Sequence, residues 1–242
     1  MHWQRISELL APFLSAPLSD AQLSQLAAYL EILHRWNARM NLTAIHDPEQ
    51  VVTRHFGESL FAAQVLFPMR HEPCAMCLLD IGSGAGFPGL PIKIWCPELP
   101  VTLIESQHRK ATFLKEVIRA LDLKNISVST SRAEQFEISK PVILSEDAPI
   151  SERPGFGREQ GASESKDLVF SQRTTVTLRA VENFDRILPV AARLAAHGRL
   201  ALLIGAAQVP AAQKLLPTFA WSDPLPIPLS QSRIVLIGQE SR

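Results

Sequence analysis

Apolar residues recur at helical spacing through the first 68 residues of the chain. In SDAQLSQLAAYLEILHRW, Ser19 and Gln22 have the spacing of a capping box, which predicts the start of a helix. The apolar face of this helix is formed by Leu23, Leu26, Leu30 and Leu33. A second helix is predicted after Asp47, with Pro48 in its first position. Its apolar face is formed by Val52, Phe56, Leu60 and Ala63. We therefore predict an N-terminal helical extension over residues 1–68.

From about residue 76 the pattern changes to short apolar runs that alternate with helical segments. Strands are predicted at CLLDI (77–81), PVTLIE (100–105), ISVST (126–130), TTVTL (174–178), GRLALLI (198–204) and RIVLI (233–237). Helices are predicted at 89–95, 108–121, near 181–195 and at 208–216. Such alternation predicts a doubly wound, mostly parallel α/β sheet with helices on both faces, which we assign to one domain over residues 69–242.

Residues 137–172 interrupt this alternation. The run SEDAPISERPGFGREQGASESKD is rich in Ser, Glu, Gly and Pro and has almost no apolar anchor. A segment of this composition buries too little apolar surface to offset the entropy lost when it becomes ordered. We predict a flexible insertion within the domain.

Positive and negative side chains balance over the whole chain, with 24 Lys and Arg against 24 Asp and Glu. Proteins that cover nucleic acid over a large area are usually basic, so any such site here must be a local basic patch. Three cysteines form no paired disulfide framework, and no apolar run is long enough to cross a membrane. We expect a cytoplasmic protein that acts as a monomer and has no membrane partner.

Four glycines follow the first predicted strand in LLDIGSGAGFPGLPI, a composition typical of a tight turn that a ligand approaches. A dinucleotide fold uses G-x-G-x-x-G, but that pattern begins here only at Gly84, after the loop has already started. The alternative pattern, acidic-x-Gly-x-Gly-x-Gly, is typical of S-adenosylmethionine-dependent methyltransferases and is formed by Asp80, Gly82, Gly84 and Gly86. A carboxylate such as Asp80 suits a cationic amino group and sulfonium better than a pyrophosphate.

Two further acidic residues stand where a nucleoside would lie. Glu105 ends the second predicted strand and can accept hydrogen bonds from ribose hydroxyls, a role that both ligands share. Glu134, in SRAEQF after the third predicted strand, can read the exocyclic amine of an adenine. Basic residues near the same cleft offer a local phosphate patch, and we favour Arg54 and His55 as the pair that binds RNA.

Four segments resemble the small-subunit ribosomal RNA guanine-N7 methyltransferase G family. They are LHRWNARMNLTAIHDPEQVVTRHFGESL, LLDIGSGAGFPGLPIKIWCPEL, IESQHRKATFLKEVIRALDL and SRAEQF. The resemblance implies a Rossmann-like class I methyltransferase fold, S-adenosylmethionine as cofactor, and small-subunit rRNA or a ribosomal particle as partner. It also implies a cofactor site formed by Gly82, Phe87, Glu105, Ser106, Gln107, Ala133, Glu134 and Arg179. The sequence departs from the family at Glu58, where aspartate is usual, and at Ile204, where lysine is usual.

The resemblance implies methyl transfer to N7 of a specific guanine in 16S rRNA. Because N7 carries a lone pair and no proton, direct displacement needs orientation and proximity but no general base, and we assign no catalytic residue. His71, Cys74 and Cys77 resemble half a zinc site, but small buried thiols explain the cysteines better, so we predict no metal. Two other functions stay open: an NAD(P)-dependent oxidoreductase and a non-catalytic, nucleotide-sensing RNA-binding module.

Overall fold

A computed structural model describes residues 1–68, 76–137, 174–181, 183–196 and 198–241. Apart from Glu137, the segment predicted to be a flexible insertion lies outside the described residues. His71 and Cys74 of the suggested half zinc site lie outside them too, whereas Cys77 is buried at the start of a strand.

The described residues form eight α-helices and one short π-helix. The α-helices are α1 (Trp3–Leu10), α2 (Asp20–Met40), α3 (Pro48–Val51), α4 (Glu58–Leu66), α5 (Gly89–Trp95), α6 (His108–Ala120), α7 (Phe184–Leu194) and α8 (Val209–Leu215). The π-helix spans Val52–Gly57, between α3 and α4. A π-helical turn inside an α-helix is rare, and the known examples are often at functional sites.

Eight strands form one sheet within the described part of the chain. They are β1 (Cys77–Ile81), β2 (Val101–Ile104), β3 (Ile126–Ser129), β4 (Thr174–Arg179), β5 (Arg199–Gly205), β6 (Phe219–Trp221), β7 (Leu225–Pro226) and β8 (Arg233–Glu240). The strand order is β3-β2-β1-β4-β5-β8-β6, and β7 also pairs with β8. Neighbours among β1 to β5 run parallel, whereas β8 is antiparallel to its three neighbours. The predicted doubly wound, mostly parallel sheet is therefore confirmed.

The six predicted strands are all present, and the structure adds two short ones. Strand β8 continues to Glu240, beyond the predicted end at residue 237. Strands β6 and β7 contain only three and two residues. Runs this short leave no periodic pattern in the sequence, so their absence from the prediction has a simple reason.

Helix α2 begins as the sequence predicts. The Ser19 hydroxyl accepts from the Gln22 amide at 3.3 Å, and the Gln22 side chain accepts from the Ser19 amide at 3.0 Å, which completes the capping box. The predicted apolar faces of both N-terminal helices are buried. They share one hydrophobic core with α5, α6 and one face of the sheet, whereas α7 and α8 cover the opposite face. The division of the chain into two domains near residue 69 stays a prediction.

Candidate functional site

The strand order reverses between β1 and β4, so the chain leaves these neighbouring strands in opposite directions along the sheet. In open α/β sheets a ligand crevice forms at such a point, outside the carboxyl ends of the strands. A cavity of about 700 Å³ lies there, walled by residues that follow β1, β2, β3 and β4. The strand register aligns these ends, because Ile81 pairs with both Ile104 and Leu178.

The glycine loop after β1 forms one wall of this cavity. Gly82 has a φ of 67°, a left-handed conformation that is strained for any residue with a side chain. A Cβ at Gly82 would also lie 2.9 Å from Cγ1 of Val181. The amides of Gly82 and Ser83 donate to the carbonyl of Ile104, at 2.9 and 3.2 Å. The loop therefore presents bare backbone to the cavity and is anchored to β2.

Glu105 holds the same loop from the end of β2. It is buried, and its carboxylate accepts from the Gly84 amide at 2.9 Å and from the Gln107 amide at 2.8 Å. An ionised carboxylate has about four acceptor positions, so two remain for a ligand. Glu105 thus combines a structural role with a position in the cavity wall.

The structure corrects the expectation for Asp80. Asp80 is fully buried and is not among the residues that line the cavity. Its carboxylate accepts from the Thr177 hydroxyl at 2.8 Å and from the Gly89 amide at 3.2 Å. Burial, partly offset by these hydrogen bonds, raises its pKa to about 6. Because β-strand side chains alternate between faces, Asp80 points beneath the glycine loop and fixes its far end rather than facing a ligand.

Phe87 and His55 form a second, aromatic wall. Their rings stack at 4.7 Å between centroids with an interplanar angle of 26°. The His55 Nδ1 accepts from Arg179 Nη2 at 3.0 Å. In the neutral ring the proton is therefore on Nε2, which lies 2.7 Å from the Thr43 hydroxyl. Burial and the positive charges of Arg179 and two further arginines lower the His55 pKa to about 3, so the ring is neutral.

Asn37 and Thr43 have roles that the sequence reasoning missed. The Asn37 side chain bonds both the carbonyl and the amide of Thr43, at 3.0 and 2.9 Å. This pair of hydrogen bonds fixes the loop at residues 42–45, which lines the cavity. The loop in turn positions His55 through Thr43. These two residues lie in the segment LHRWNARMNLTAIHDPEQVVTRHFGESL, and its resemblance to the family was the available signal.

Arg179, at the end of β4, connects the cavity to the π-helix. It is buried, and its Nη2 donates to the Arg54 carbonyl at 2.7 Å and to Glu58 Oε2 at 3.0 Å, in addition to His55. Arg233 Nε lies 2.9 Å from the same Glu58 oxygen, although its N–H is not aligned for a hydrogen bond. One buried carboxylate is therefore shared by two guanidinium groups.

The segment after β3 forms another wall of the cavity. Ala133 is buried and Glu134 partly buried in a 3₁₀ turn, and both line the cavity. The Glu134 carboxylate forms an ion pair with Arg186 of α7 at 3.1 Å. The carboxylate keeps acceptor capacity beside this ion pair. Its suggested contact with an adenine amine stays a prediction.

All eight residues that the sequence suggested for a cofactor line this one cavity, together with His55. Arg54 does not: its side chain is exposed and lines a neighbouring groove. Consecutive helical residues point in different directions, which separates Arg54 from His55. Because His55 is neutral, it also lacks the charge that we expected it to offer to a phosphate.

A parallel sheet of this order, with a glycine loop and a cavity at its switch point, is the Rossmann-like class I methyltransferase fold. Two solved structures support this class. Magnesium protoporphyrin IX methyltransferase from Synechocystis PCC 6803, solved with bound SAM, has a TM-score of 0.57 at 12% identity over 94% of this chain and 100% of that chain. A SAM-dependent methyltransferase from Aquifex aeolicus has a TM-score of 0.52 at 12% identity over 83% of this chain and 97% of that chain.

The family follows from the sequence comparison. The model of the family described as rRNA small subunit methyltransferase G matches residues 22–145, and the chain belongs to that family. The curated ribosomal RNA small subunit methyltransferase G of Roseiflexus castenholzii is 49% identical over 117 residues, 48% of this chain and 48% of that protein. The protein of the same name from Xylella fastidiosa is 47% identical over 120 residues, 50% of this chain and 53% of that protein. The chain spans about half the length of these curated relatives.

No helix of the described residues has the length and apolar character needed to span a membrane. Within the same ranges, no group of three or more His, Cys, Asp and Glu side chains could hold a metal ion.

Proposed function

We propose that this chain binds S-adenosylmethionine at the switch point and transfers its methyl group to N7 of a guanine in 16S rRNA. The observation that carries the proposal is the convergence of the eight suggested cofactor residues on one cavity at the carboxyl edge of the sheet. Membership of the rRNA small subunit methyltransferase G family supplies the substrate class. A cytoplasmic location follows from an rRNA substrate, and we expect the chain to act as a monomer.

The cavity fits this cofactor in two respects. Arg179 lines the cavity, and its Nε is buried without a hydrogen-bond partner among the described residues. A carboxylate, such as that of the cofactor's methionine part, would satisfy this donor with a charge-assisted hydrogen bond. Glu105 has the acceptor positions that two ribose hydroxyls require.

The same site fits a dinucleotide poorly. A pyrophosphate binds to the amides at the N-terminus of the helix that follows the glycine loop. Here the Gly89 amide at the start of α5 already donates to the Asp80 carboxylate at 3.2 Å. That amide is therefore not free to donate to a pyrophosphate. This observation favours S-adenosylmethionine over NAD(P).

The residues of the chain have to orient and shield the reacting groups. When bound, the cofactor supplies an electrophilic methyl carbon on a sulfonium. Glu105 and Arg179 would hold the cofactor, and a guanine N7 that accepts its methyl group carries a lone pair and no proton. No residue of the chain would therefore have to remove a proton. The stacked rings of Phe87 and His55 offer an aromatic wall, and aromatic faces attract cations such as a sulfonium or a methylated base. The gain from such a site comes from proximity and orientation.

The direct test is methyl transfer from isotope-labelled S-adenosylmethionine to naked 16S rRNA and to the 30S particle, followed by nucleoside mass analysis. We expect 7-methylguanosine at one position. Label on another atom, or on neither substrate, would contradict the proposal. Calorimetry with S-adenosylmethionine and with NAD tests the oxidoreductase alternative, and cofactor and RNA binding without transfer would favour the non-catalytic module.

A further inference from the structure

A second groove lies beside the cofactor cavity. It has a volume of about 350 Å³ and runs between the π-helix and the loop that precedes β8. We call it the Arg54–Arg233 groove; Thr53, Arg54 and Glu58 line one side, and residues 230–233 line the other. It meets the cofactor cavity through Glu58, which contacts both Arg179 and Arg233.

The groove has an excess of positive charge. Among the described residues that line the groove, Glu58 is the only acidic one, and its carboxylate is already shared by Arg179 and Arg233. Arg54 adds a further cation at the surface. The positive charges of all three arginines contribute to the lowered pKa of His55, after the larger effect of burial. One carboxylate thus faces three guanidinium groups in a protein whose overall charge is balanced.

Arg233 has guanidinium donors that lack acceptors. Its Nη2 is buried without a hydrogen-bond partner among the described residues, and its Nε is near Glu58 without being aligned to it. A buried donor of a charged group that stays unpaired is costly, and such groups are rare in native proteins. An anion in the groove would supply the missing acceptors.

The shape and the lining chemistry indicate which anion. Guanidinium groups hold phosphate oxygens by paired hydrogen bonds, and Ser230 and Ser232 add hydroxyl groups to the same wall. Leu229 stands at the rim and is 73% exposed, which gives an apolar surface beside the charged one. A polynucleotide presents this combination of a charged backbone and apolar base faces.

We propose that the Arg54–Arg233 groove binds backbone phosphates of the RNA strand whose guanine enters the cofactor cavity. The inference rests on the proposed function for the identity of the strand. Arg54 and Arg233 contribute a phosphate contact each, and neither contacts the base. Their loss weakens RNA binding without changing the affinity for S-adenosylmethionine.

The test measures the binding of a small-subunit rRNA fragment over a series of salt concentrations. The variants are Arg54→Ala, Arg54→Glu and Arg233→Gln, with Arg119→Ala as the matched control because Arg119 is an exposed arginine on α6 that lines neither cavity. We expect each single neutralisation to lower the salt slope by about one unit, and Arg119→Ala to leave it unchanged. Arg54→Glu should weaken binding more than Arg54→Ala.

The outcomes separate this inference from the proposed function. If the wild-type chain methylates rRNA but all three variants bind RNA like Arg119→Ala, the groove is not a phosphate site. If the wild type transfers no methyl group but the salt slopes fall as expected, the proposed function is wrong and the assignment of the groove as a phosphate site is supported. Should Arg233→Gln unfold, the two Arg54 variants decide, since the Arg54 side chain is exposed and forms no hydrogen bond or ion pair with the described residues.

Discussion

His55 lies in the π-helix and contacts both the loop at residues 42–45 and the glycine loop. Its two ring nitrogens contact Thr43 and Arg179, and its ring stacks on Phe87. Three neighbouring arginines and burial make the protonated ring unfavourable, which lowers its pKa to about 3. His55 therefore acts as a fixed, neutral hydrogen-bonding surface in the cavity wall.

The lowered pKa of His55 has a consequence for stability. Below pH 6.5 the unfolded chain binds a proton at His55, whereas the folded chain binds it only near pH 3. The free energy of unfolding therefore falls as the pH falls from 6.5 towards 3. We expect His55→Gln to reduce the slope of unfolding free energy against pH, by up to about 1.4 kcal/mol per pH unit. Urea unfolding between pH 6.5 and 4.5 measures the slope. His34→Gln, at an exposed position of α2, is the control, and equal slopes in wild type and His55→Gln would contradict the assignment.

Gly82 supports a second prediction at this scale. An alanine there has to adopt a φ of 67° with its Cβ 2.9 Å from Val181. We expect Gly82→Ala to cost about 1–2 kcal/mol of stability from the left-handed backbone and to lower the affinity for S-adenosylmethionine at least tenfold. Gly205→Ala is the matched control at the same edge of the sheet, because φ is −76° and the nearest atoms to its Cβ are at 3.8 Å. Calorimetry that finds wild-type affinity in Gly82→Ala would remove Gly82 from the cofactor site.

At the scale of elements, the glycine loop is held by side chains from four separate elements. Asp80 of β1 and Glu105, which follows β2, bond its amides, and Tyr29 of α2 donates to the carbonyl of Ala85. Thr177 of β4 completes the set through Asp80. A loop that binds a ligand with its backbone needs such support, because its glycines carry no side chains to anchor it.

The N-terminal extension therefore contributes to the proposed cofactor site through Tyr29. Loss of its hydroxyl in Tyr29→Phe leaves the buried Ala85 carbonyl without this donor, which costs about 1–3 kcal/mol. Because Gly84 and Ala85 line the cavity, we expect a several-fold loss of S-adenosylmethionine affinity as well. Ser19→Ala in the capping box of the same helix should cost about 1 kcal/mol and leave the affinity unchanged. Equal affinities in the two variants would show that α2 acts on stability alone.

The elements were largely predictable because their signals are local. The capping box at Ser19, the apolar face of α2 and the six longer strands each depend on residues close in sequence. The glycine loop and Glu105 were predictable because each of them directly follows a strand. The orientation of Asp80, the neutral state of His55 and the pairing of Glu58 with Arg233 depend on contacts between distant segments. No periodicity or spacing encodes those contacts, so the sequence could not predict them.

At the scale of the whole molecule, one hydrophobic core joins the N-terminal helices to the sheet. Leu26 and Leu33 of α2, Leu60 of α4, Leu78 of β1 and Leu103 of β2 belong to the same buried cluster. A separate cluster on the opposite sheet face joins α7 and α8 to β4 and β5. Together with α5 and α6, the N-terminal helices thus bury one face of the sheet.

This shared core predicts how the chain opens. If α2 depends on the sheet for its burial, its amides and those of β1 and β2 must become exposed in the same opening step. We expect native-state hydrogen exchange in low urea to yield the same opening free energy and the same urea dependence for α2, β1 and β2. Helix α8 packs in the other cluster and is the internal comparison. Its opening free energy can differ from that of α2 without contradicting the prediction. An α2 that opens first, with its own smaller urea dependence, would show that the N-terminal helices form an independent unit. Tyr29 would then anchor the glycine loop only while that unit is closed, and cofactor affinity would fall with urea before the sheet unfolds.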